Sequence, residues 1–530
     1  MEAINTEAVK WIAERYCKIK DELDMYGDYV SETLNSNIDA LVVSSHTMTD
    51  DYRNEIERFI RSSIDREKCY QAVFLYSAAL AVNYSREIFE EFVRYVTDTG
   101  SFRANTRYFL YCQLQTLMFV HSGKLESDGN KHLIWQLLEN TVREFEREFA
   151  DMLEPIPAEE LDGSFALILT DQLLGQNHGP TKTALERAKT IITQLKKQTM
   201  LINTAECLSQ RGKILFYGVN NARYIEQYRQ EDKIIWNGCA VPFFQCDNNM
   251  PNYRDIAMLL TLVRDRKPSL VIDIGGSSIV SNLINRMIPV LSIGLCPSDL
   301  APTTAICQLL SRELKTEDVE LLSFFGKTEK NVIRSVFTSE LRVQTAQVSR
   351  EELGIPKDKF VLVSVGSRLN EEIDSAFADM LNKIESDDIC VVFIGPFSRY
   401  EEFCRDNPKL KDKLISLGRR NDVLACLEVC DLYVNPYRKG GGTSGVEALY
   451  KGVPVLTVDY GDVAVNAGED FTIGSYDEMP ELIMKYKNDG DFYKEQSDKA
   501  KARSTVLLDG EHEFVKIIGE FEKRCLENNW

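Results

Sequence analysis

Through the first 160 residues apolar positions recur every three or four residues. SREIFEEFVRYV (85–96) and LIWQLLENTVREFEREFADML (133–153) each place them on one helical face. IDALVVSS (38–45) departs from this spacing and reads as a strand signal. EPIPAEELDG (154–163) reads as a linker, and the texture changes after it. SFALILTD (164–171), KILFYG (213–218), SLVIDIG (269–275) and PVLSIG (289–294) are short apolar runs bounded by turns. Helical stretches such as TKTALERAKTIITQLKK (181–197) lie between them. A second set follows ELGIPKDK (352–359): FVLVSVG (360–366), ICVVFIG (389–395), LISL (414–417), DLYVN (431–435) and VPVLTV (453–458). Apolar strands alternating with helices predict mostly parallel sheets covered by helices. The fold class is therefore α/β, with an all-α domain over 1–160 and two lobes over 161–350 and 351–530. No fixed repeat period stands out. Two such lobes bind a ligand in the cleft between them, at the carboxyl ends of the strands.

Composition narrows the classes. A chain of 530 residues exceeds what one core holds, and 44% apolar with 27% charged residues is ordinary for a globular protein. The formal net charge of −20 argues against broad nucleic-acid binding or adhesion to anionic membranes, while leaving room for a local basic pocket. Thirteen cysteines include no CxxC pair, which removes zinc-ribbon and thioredoxin readings. Cys426 and Cys430, four apart, are assigned to packing. Reduced thiols point to the cytoplasm. The charged N-terminus lacks the apolar core of a signal peptide, and no run approaches the ~18 apolar residues of a membrane span.

The candidate chemistry concentrates in NPYRKGGGTSGVEALYKGVPVLT (435–457). A strand leads through Asn435, Arg438, Lys439 and three glycines into a helix that stops at Gly452. Glycines let backbone approach a ligand, and the free N–H groups at a helix start favour an anion. Thr443 and Ser444 can donate hydroxyl hydrogen bonds, and Glu447 lies one turn in, where a carboxylate can reach a ribose hydroxyl. A plain turn with a Ser/Thr cap is the alternative reading of the same residues.

CDLYVNPYRKGGGTSGVEALYKGVPVLTVDYGD (430–462) resembles the C-terminal lobe of GT-B glycosyltransferases. It looks most like the O-linked N-acetylglucosamine transferase group, which includes bacterial N-glycosyltransferases that modify adhesins. The resemblance implies two Rossmann-like lobes (GT-B), a UDP-sugar as donor substrate and no cofactor or metal. It also implies that Gly442, Thr443 and Ser444, with Gly441 beside them, hold the diphosphate and that Glu447 holds the ribose. Many retaining GT-B enzymes carry two glutamates eight positions apart here; Glu447 fits the second, but Lys439 stands at the first, which favours inversion. Gly366, Ser367 and Arg368 of SVGSRLNEE (364–372) are expected to face the cleft, with Arg368 available to a phosphate. Where the group usually has a lysine, this chain has Glu371 and Glu372. Gly418, Arg419 and Asn421 of SLGRRNDV (416–423) fall where such enzymes contact the base, or form a plain turn with Asn421 as N-cap. Asp462 and Asn466 of VDYGDVAVNAG (458–468) fall near the donor sugar.

An inverting transferase needs a base near the acceptor. LTDQLLGQNHGPTKTALERA (169–188) follows the first lobe's first strand, opens a helix at Pro180, and resembles a His-x-Pro-Thr stretch of bacterial GT-B enzymes. His178, one of five histidines, and Asp171 at the strand end are the catalytic candidates. Lys182 reads as a helix-surface lysine. VIDIGGSS (271–278) is not GxGxxG and reads as a tight strand-to-helix turn. The expected function is transfer of a hexose or N-acetylhexosamine from a UDP-sugar to a protein or glycan acceptor, with the helical domain as a seat for acceptor or partner subunit. A catalytically degenerate GT-B protein acting as a binding subunit is the alternative. A sugar-nucleotide epimerase ranks last, because only His178 is well placed among the histidines such a site needs.

Overall fold

The computed structural model describes residues 6–26, 30–46, 48–176, 178–206, 224–247, 249–341 and 343–528. The N-terminal region is helical: α1 (Thr6–Tyr26), α2 (Glu32–Ser45), α3 (Asp50–Ser62), α4 (Cys69–Asn83), α5 (Arg86–Asp98), α6 (Ala104–Val120), α7 (Ser122–Leu125) and α8 (Asp128–Glu148). IDALVVSS is therefore helix, not strand. Ile38, Leu41, Val42 and Ser45 are buried at helical spacing, and the Ser31 hydroxyl caps α2 by accepting from Leu34 N at 2.9 Å. α4 is buried on nearly all sides, as its apolar sequence CYQAVFLYSAALAVN requires.

The first lobe carries β1 (Asp162–Thr170), β2 (Gln198–Asn203), β3 (Lys233–Trp236), β4 (Cys239–Gln245), β5 (Pro268–Gly275), β6 (Val290–Gly294), β7 (Cys307–Leu310) and β8 (Val332–Arg334). Their order is β3-β4-β2-β1-β5-β6-β7-β8, parallel throughout except the β3–β4 hairpin. α9 (Gly179–Thr193), α10 (Tyr253–Arg266), α11 (Ile279–Ile284) and α12 (Thr316–Phe324) connect them. The expected strand KILFYG (213–218) lies outside the described residues.

The second lobe carries β9 (Phe360–Val365), β10 (Ile389–Ile394), β11 (Leu414–Ser416), β12 (Leu432–Val434), β13 (Val455–Val458) and β14 (Thr472–Ile473), in the parallel order β11-β10-β9-β12-β13-β14. Its helices are α13 (Leu369–Glu372), α14 (Ser375–Asn382), α15 (Tyr400–Asp406), α16 (Val423–Leu427), α17 (Gly442–Tyr450), α18 (Gly461–Ala467), α19 (Met479–Asn488), α20 (Gly490–Leu507) and α21 (Gly510–Asn528).

Two features bind the three regions together. One hydrophobic core runs from the helical region into the first lobe, joining Phe89, Leu114 and Leu138 to Leu167, Val271 and Leu283. The last helix, α21, leaves the second lobe and docks Phe514, Ile517, Ile518 and Phe521 on the first. α9 grips both crossings. Lys182, expected on the surface, is buried because its Nζ donates to Glu340 O at 2.9 Å in the interlobe linker. Arg187 donates to Thr338 Oγ1 at 2.7 Å, with Gly510 O at 3.4 Å.

Candidate active site

A cavity of about 760 Å3 opens where the carboxyl ends of the strands of both lobes meet α6 and α8. The second lobe supplies Gly366–Arg368, Glu372, Arg438–Ser444, Glu447, Asp462 and Asn466. The first lobe supplies Asp171, His178, Gly275, Cys296 and Asp299 among others, and the helical region adds Phe119, Glu126, Lys131 and Trp135. Chain separation gives no hint of this last contribution.

The glycine loop folds as α17 requires. Gly441 is the N-cap at φ +93°, and a Cβ there would lie 2.6 Å from the Arg438 guanidinium carbon. No side chain caps α17, so its first N–H groups face the cavity without an intrahelical partner. Thr443 is exposed there and Glu447 is half-buried one turn in. Ser444 Oγ donates to Gly441 O and sits 2.8 Å from the Tyr433 hydroxyl.

The two basic residues before the glycines turn inward. Arg438 is buried. It donates to Asn435 Oδ1 (2.8 Å), Glu372 Oε2 (2.6 Å), Val365 O (2.9 Å) and the Tyr433 hydroxyl (2.6 Å). Glu372, which takes the place of an expected basic residue, also pairs with Arg368 at 3.1 Å. Arg368 stays about a third exposed, its guanidinium 4.9 Å from the Phe119 ring.

Lys439 joins all three regions. Its Nζ reaches Glu126 Oε1 and Oε2 at 2.8 and 3.0 Å and Asp299 Oδ2 at 2.5 Å. Lys131 pairs with the same two carboxylates at 2.8 and 3.3 Å, and the Tyr460 hydroxyl donates to Glu126 Oε2. Burial works against the Lys439 charge, but Asp299 and Glu126 win and raise its pKa. Burial likewise opposes the Glu126 charge, and Lys439 with Lys131 still pulls its pKa down to about 2.

On α18, Asp462 accepts from Ser298 Oγ (2.6 Å) and Ser298 N (3.2 Å) of the first lobe. Burial lifts its pKa to about 6, with the Ser298 bonds and Lys439 opposing. Asn466 lies close enough to α17 that a Cβ on Gly442 would meet its Nδ2 at 2.7 Å.

Of the expected donor residues, Gly418, Arg419, Asn421 and Asn435 are not in the cavity wall. Gly418 (φ +60°) turns the chain after β11, and Arg419 and Asn421 are exposed. Asp422, rather than Asn421, precedes α16 as its N-cap. Asn435 is buried between Arg438 and Thr457 Oγ1. VIDIGGSS ends β5 and turns toward α11 through Gly275 and Gly276, both at positive φ.

On the acceptor side, His178 is the N-cap of α9, and its Nδ1 lies 3.4 Å from Thr181 Oγ1. That hydroxyl already accepts from Leu174 N at 2.8 Å. The same hydroxyl can turn its own proton toward His178 Nδ1. Asp171 stands at the end of β1 in the cavity wall.

The family model described as "Glycosyl transferases group 1" matches residues 346–503, the second lobe. A search of curated proteins gave no match. Among solved structures, a mutant O-GlcNAc transferase from Thermobaculum terrenum superposes at TM-score 0.56 and 12% identity, covering 98% of each chain. A glycosyltransferase from Rickettsia africae superposes at TM-score 0.50 and 11% identity over 69% of this chain and all of its own. The fold is GT-B with an added helical region. Among the described residues, no helix is long and apolar enough to cross a membrane, no cysteine is in a disulfide, and no group of three His, Cys, Asp or Glu is placed to hold a metal.

Proposed function

We propose that this protein transfers a hexose or N-acetylhexosamine from a UDP-sugar to a hydroxyl or amide of a protein or glycan acceptor, with inversion and without a metal, in the cytoplasm. The observation that carries this reading is the uncapped start of α17, aimed into an interlobe cavity on the lobe that matches the group 1 model. Backbone N–H groups of Gly442–Ser444 and the Arg368 guanidinium would meet the diphosphate, and Glu447 the ribose. Asp462 and Asn466 would border the donor sugar. Asp171 would accept the acceptor's proton, and His178, with Nδ1 turned to Thr181, would donate from Nε2 to an oxygen in the cleft. The helical wall of the cavity fits the view that this region helps seat the acceptor.

One observation favours the second reading, a GT-B protein that binds without catalysis. Arg438 and Lys439 are each committed to buried carboxylates, which leaves little cationic charge for a diphosphate. Calorimetry with UDP, together with a donor-hydrolysis and transfer assay on UDP-glucose and UDP-N-acetylglucosamine, separates the two. UDP binding with turnover supports the transferase. UDP binding without turnover on any acceptor favours the binding protein. No UDP binding refutes the donor-site assignment.

A further inference from the structure

One strand of the first lobe carries a carboxyl group where an apolar residue belongs. β5 reads PSLVIDIG, and its Asp273 is fully buried. The register partner of Asp273 in β6 is Ser292, whose partner in β7 is Gln308. Partners in a parallel sheet point to one face, so three buried polar side chains lie abreast. Both oxygens of Asp273, Ser292 Oγ and Gln308 Nε2 are buried without a hydrogen-bond partner. An ionised carboxylate so placed costs several kcal/mol, and taking up a proton relieves it.

The neighbours act in the same direction. Burial drives the Asp273 carboxyl well above the usual carboxylate range. The Ser281 hydroxyl and Gly276 amide offset part of this without reaching good hydrogen-bond geometry, and the nearby side chains Asp171 and Glu206 are both acidic and push the same way. Glu206, after β2, is bound by Ser278 Oγ, Ile279 N and Val280 N at 2.8, 2.6 and 3.1 Å.

Asp171 is the outer member of a pair with Asp273. Asp171 follows Thr170, whose register partner is Ile274, and so stands beside Gly275 at the end of β5, two residues on from Asp273. A Cβ on Gly275 would lie 2.7 Å from Asp171 Oδ1. Asp171 lines the cavity; Asp273 does not. Where two carboxyl groups sit close in unequal surroundings, the more buried one keeps the proton.

We propose that Asp273 is a positioning residue for the transfer proposed above, a buried neutral acid that keeps negative charge out of the space behind Asp171, the group that takes the acceptor's proton. The proposal rests on the transferase reading. In the step, the acceptor O–H or N–H bond breaks toward an Asp171 oxygen as the acceptor atom bonds to the anomeric carbon. The sugar–diphosphate bond breaks with its electron pair on the departing UDP.

Asp273→Asn keeps the shape of a neutral acid. In its pH profile of kcat/KM the acid limb is expected to stay in place, because a neutral amide leaves the charge behind Asp171 unchanged. An acid limb displaced downward overturns the proposal, because it would mean that the variant had removed a negative charge from beside Asp171. A second measurement needs neither turnover nor the variant. The infrared carbonyl band of a protonated carboxyl is expected in the wild-type protein at pH 7 and at full strength only when Asp273 is present. Its absence from the wild type overturns the proposal whether or not Asp273→Asn folds. A band without sugar transfer by the wild type instead refutes the transferase reading, and with it the role given to Asp171.

Discussion

Lys439→Met removes one charge at the point where the helical region and both lobes meet. The side chain keeps its length, so the loss is electrostatic. Two buried carboxylates, Glu126 and Asp299, then share Lys131 alone. The fall of the Glu126 pKa from 4.5 to about 2 is about 2.5 units, and at ~1.4 kcal/mol per unit it reports ~3 kcal/mol of favourable interaction. Lys439 is the larger Coulombic contributor, with Lys131 next. Removing one partner of a buried pair costs about 3–5 kcal/mol in general, which agrees. Urea unfolding at pH 7 is therefore expected to show the first cooperative transition of Lys439→Met weakened by about 2–4 kcal/mol. Glu126→Gln should show less, because Lys439 keeps Asp299, and the double variant should fall short of the sum of the two. The pH dependence has a fixed sign. A depressed carboxylate pKa gives stability that is full above about 4.5 and is lost as pH falls toward 2, so the gap between wild type and Lys439→Met should narrow over that window. UDP affinity should change by no more than about threefold, since the ammonium is already held by protein carboxylates. A gap under about 1 kcal/mol at pH 7, or a large loss of UDP affinity with stability intact, would show that Lys439 serves the ligand and not the junction.

Gly441→Ala places a methyl group against the Arg438 guanidinium at φ +93°; it should cost about 2–4 kcal/mol in thermal unfolding and lower UDP affinity in calorimetry, and a neutral result refutes the loop geometry. Arg368→Ala and Glu447→Ala, at half-buried positions of the cavity wall, should each weaken UDP binding about tenfold with little change in melting temperature; unchanged affinity in both removes them from the donor site. Asp462 has a pKa raised by burial to about 6, so it binds more protons folded than unfolded, and wild-type stability falls as pH rises from about 4 to 6. Asp462→Asn should gain on the wild type by ~3 kcal/mol across that window, and a constant difference between pH 4 and pH 7 contradicts the shift.

Local pattern carried most of the fold. The second sheet through β13 and the centre of the first (β1, β5 and β6) follow from apolar runs between turns, because a strand buried on two faces must be apolar along its length, whereas β2, β3, β4, β7, β8 and β14 were not read from the sequence. IDALVVSS misled for a related reason. Its Leu-Val-Val run looks like a strand, but burial falls on Ile38, Leu41, Val42 and Ser45 at helical spacing, with Val43 exposed. The α17 loop was legible because backbone chemistry there is local: glycines, an uncapped helix start and a following strand sit within about twenty residues. The partners of Arg438 and Lys439 were not. Glu126 lies 313 residues from Lys439 and Glu372 lies 66 from Arg438, and no spacing rule links them. Asp273 leaves a local trace, an aspartate inside VIDIG, but an isolated acid in an apolar strand does not show which neighbours it meets.

The charges in the cavity wall set how a donor can be held. A UDP-sugar brings two negative charges, and the wall already contains Glu126, Asp171, Asp299, Asp318, Glu372, Glu447 and Asp462. Its buried cations are neutralised in place, Arg438 by Glu372 and Lys439 by Glu126 and Asp299. What remains for a diphosphate is the α17 start, worth roughly half a charge, and Arg368, which Glu372 shares. Glu372 is thus the control point: it fixes Arg438 under the glycine loop and draws charge from Arg368 at the same time. Glu372→Gln should free Arg368 for the ligand and tighten UDP relative to UMP, while loosening Arg438 and lowering the melting temperature. If UDP and UMP bind alike in wild type and variant, the diphosphate does not sit at α17, and the second lobe holds its ligand by base and ribose alone.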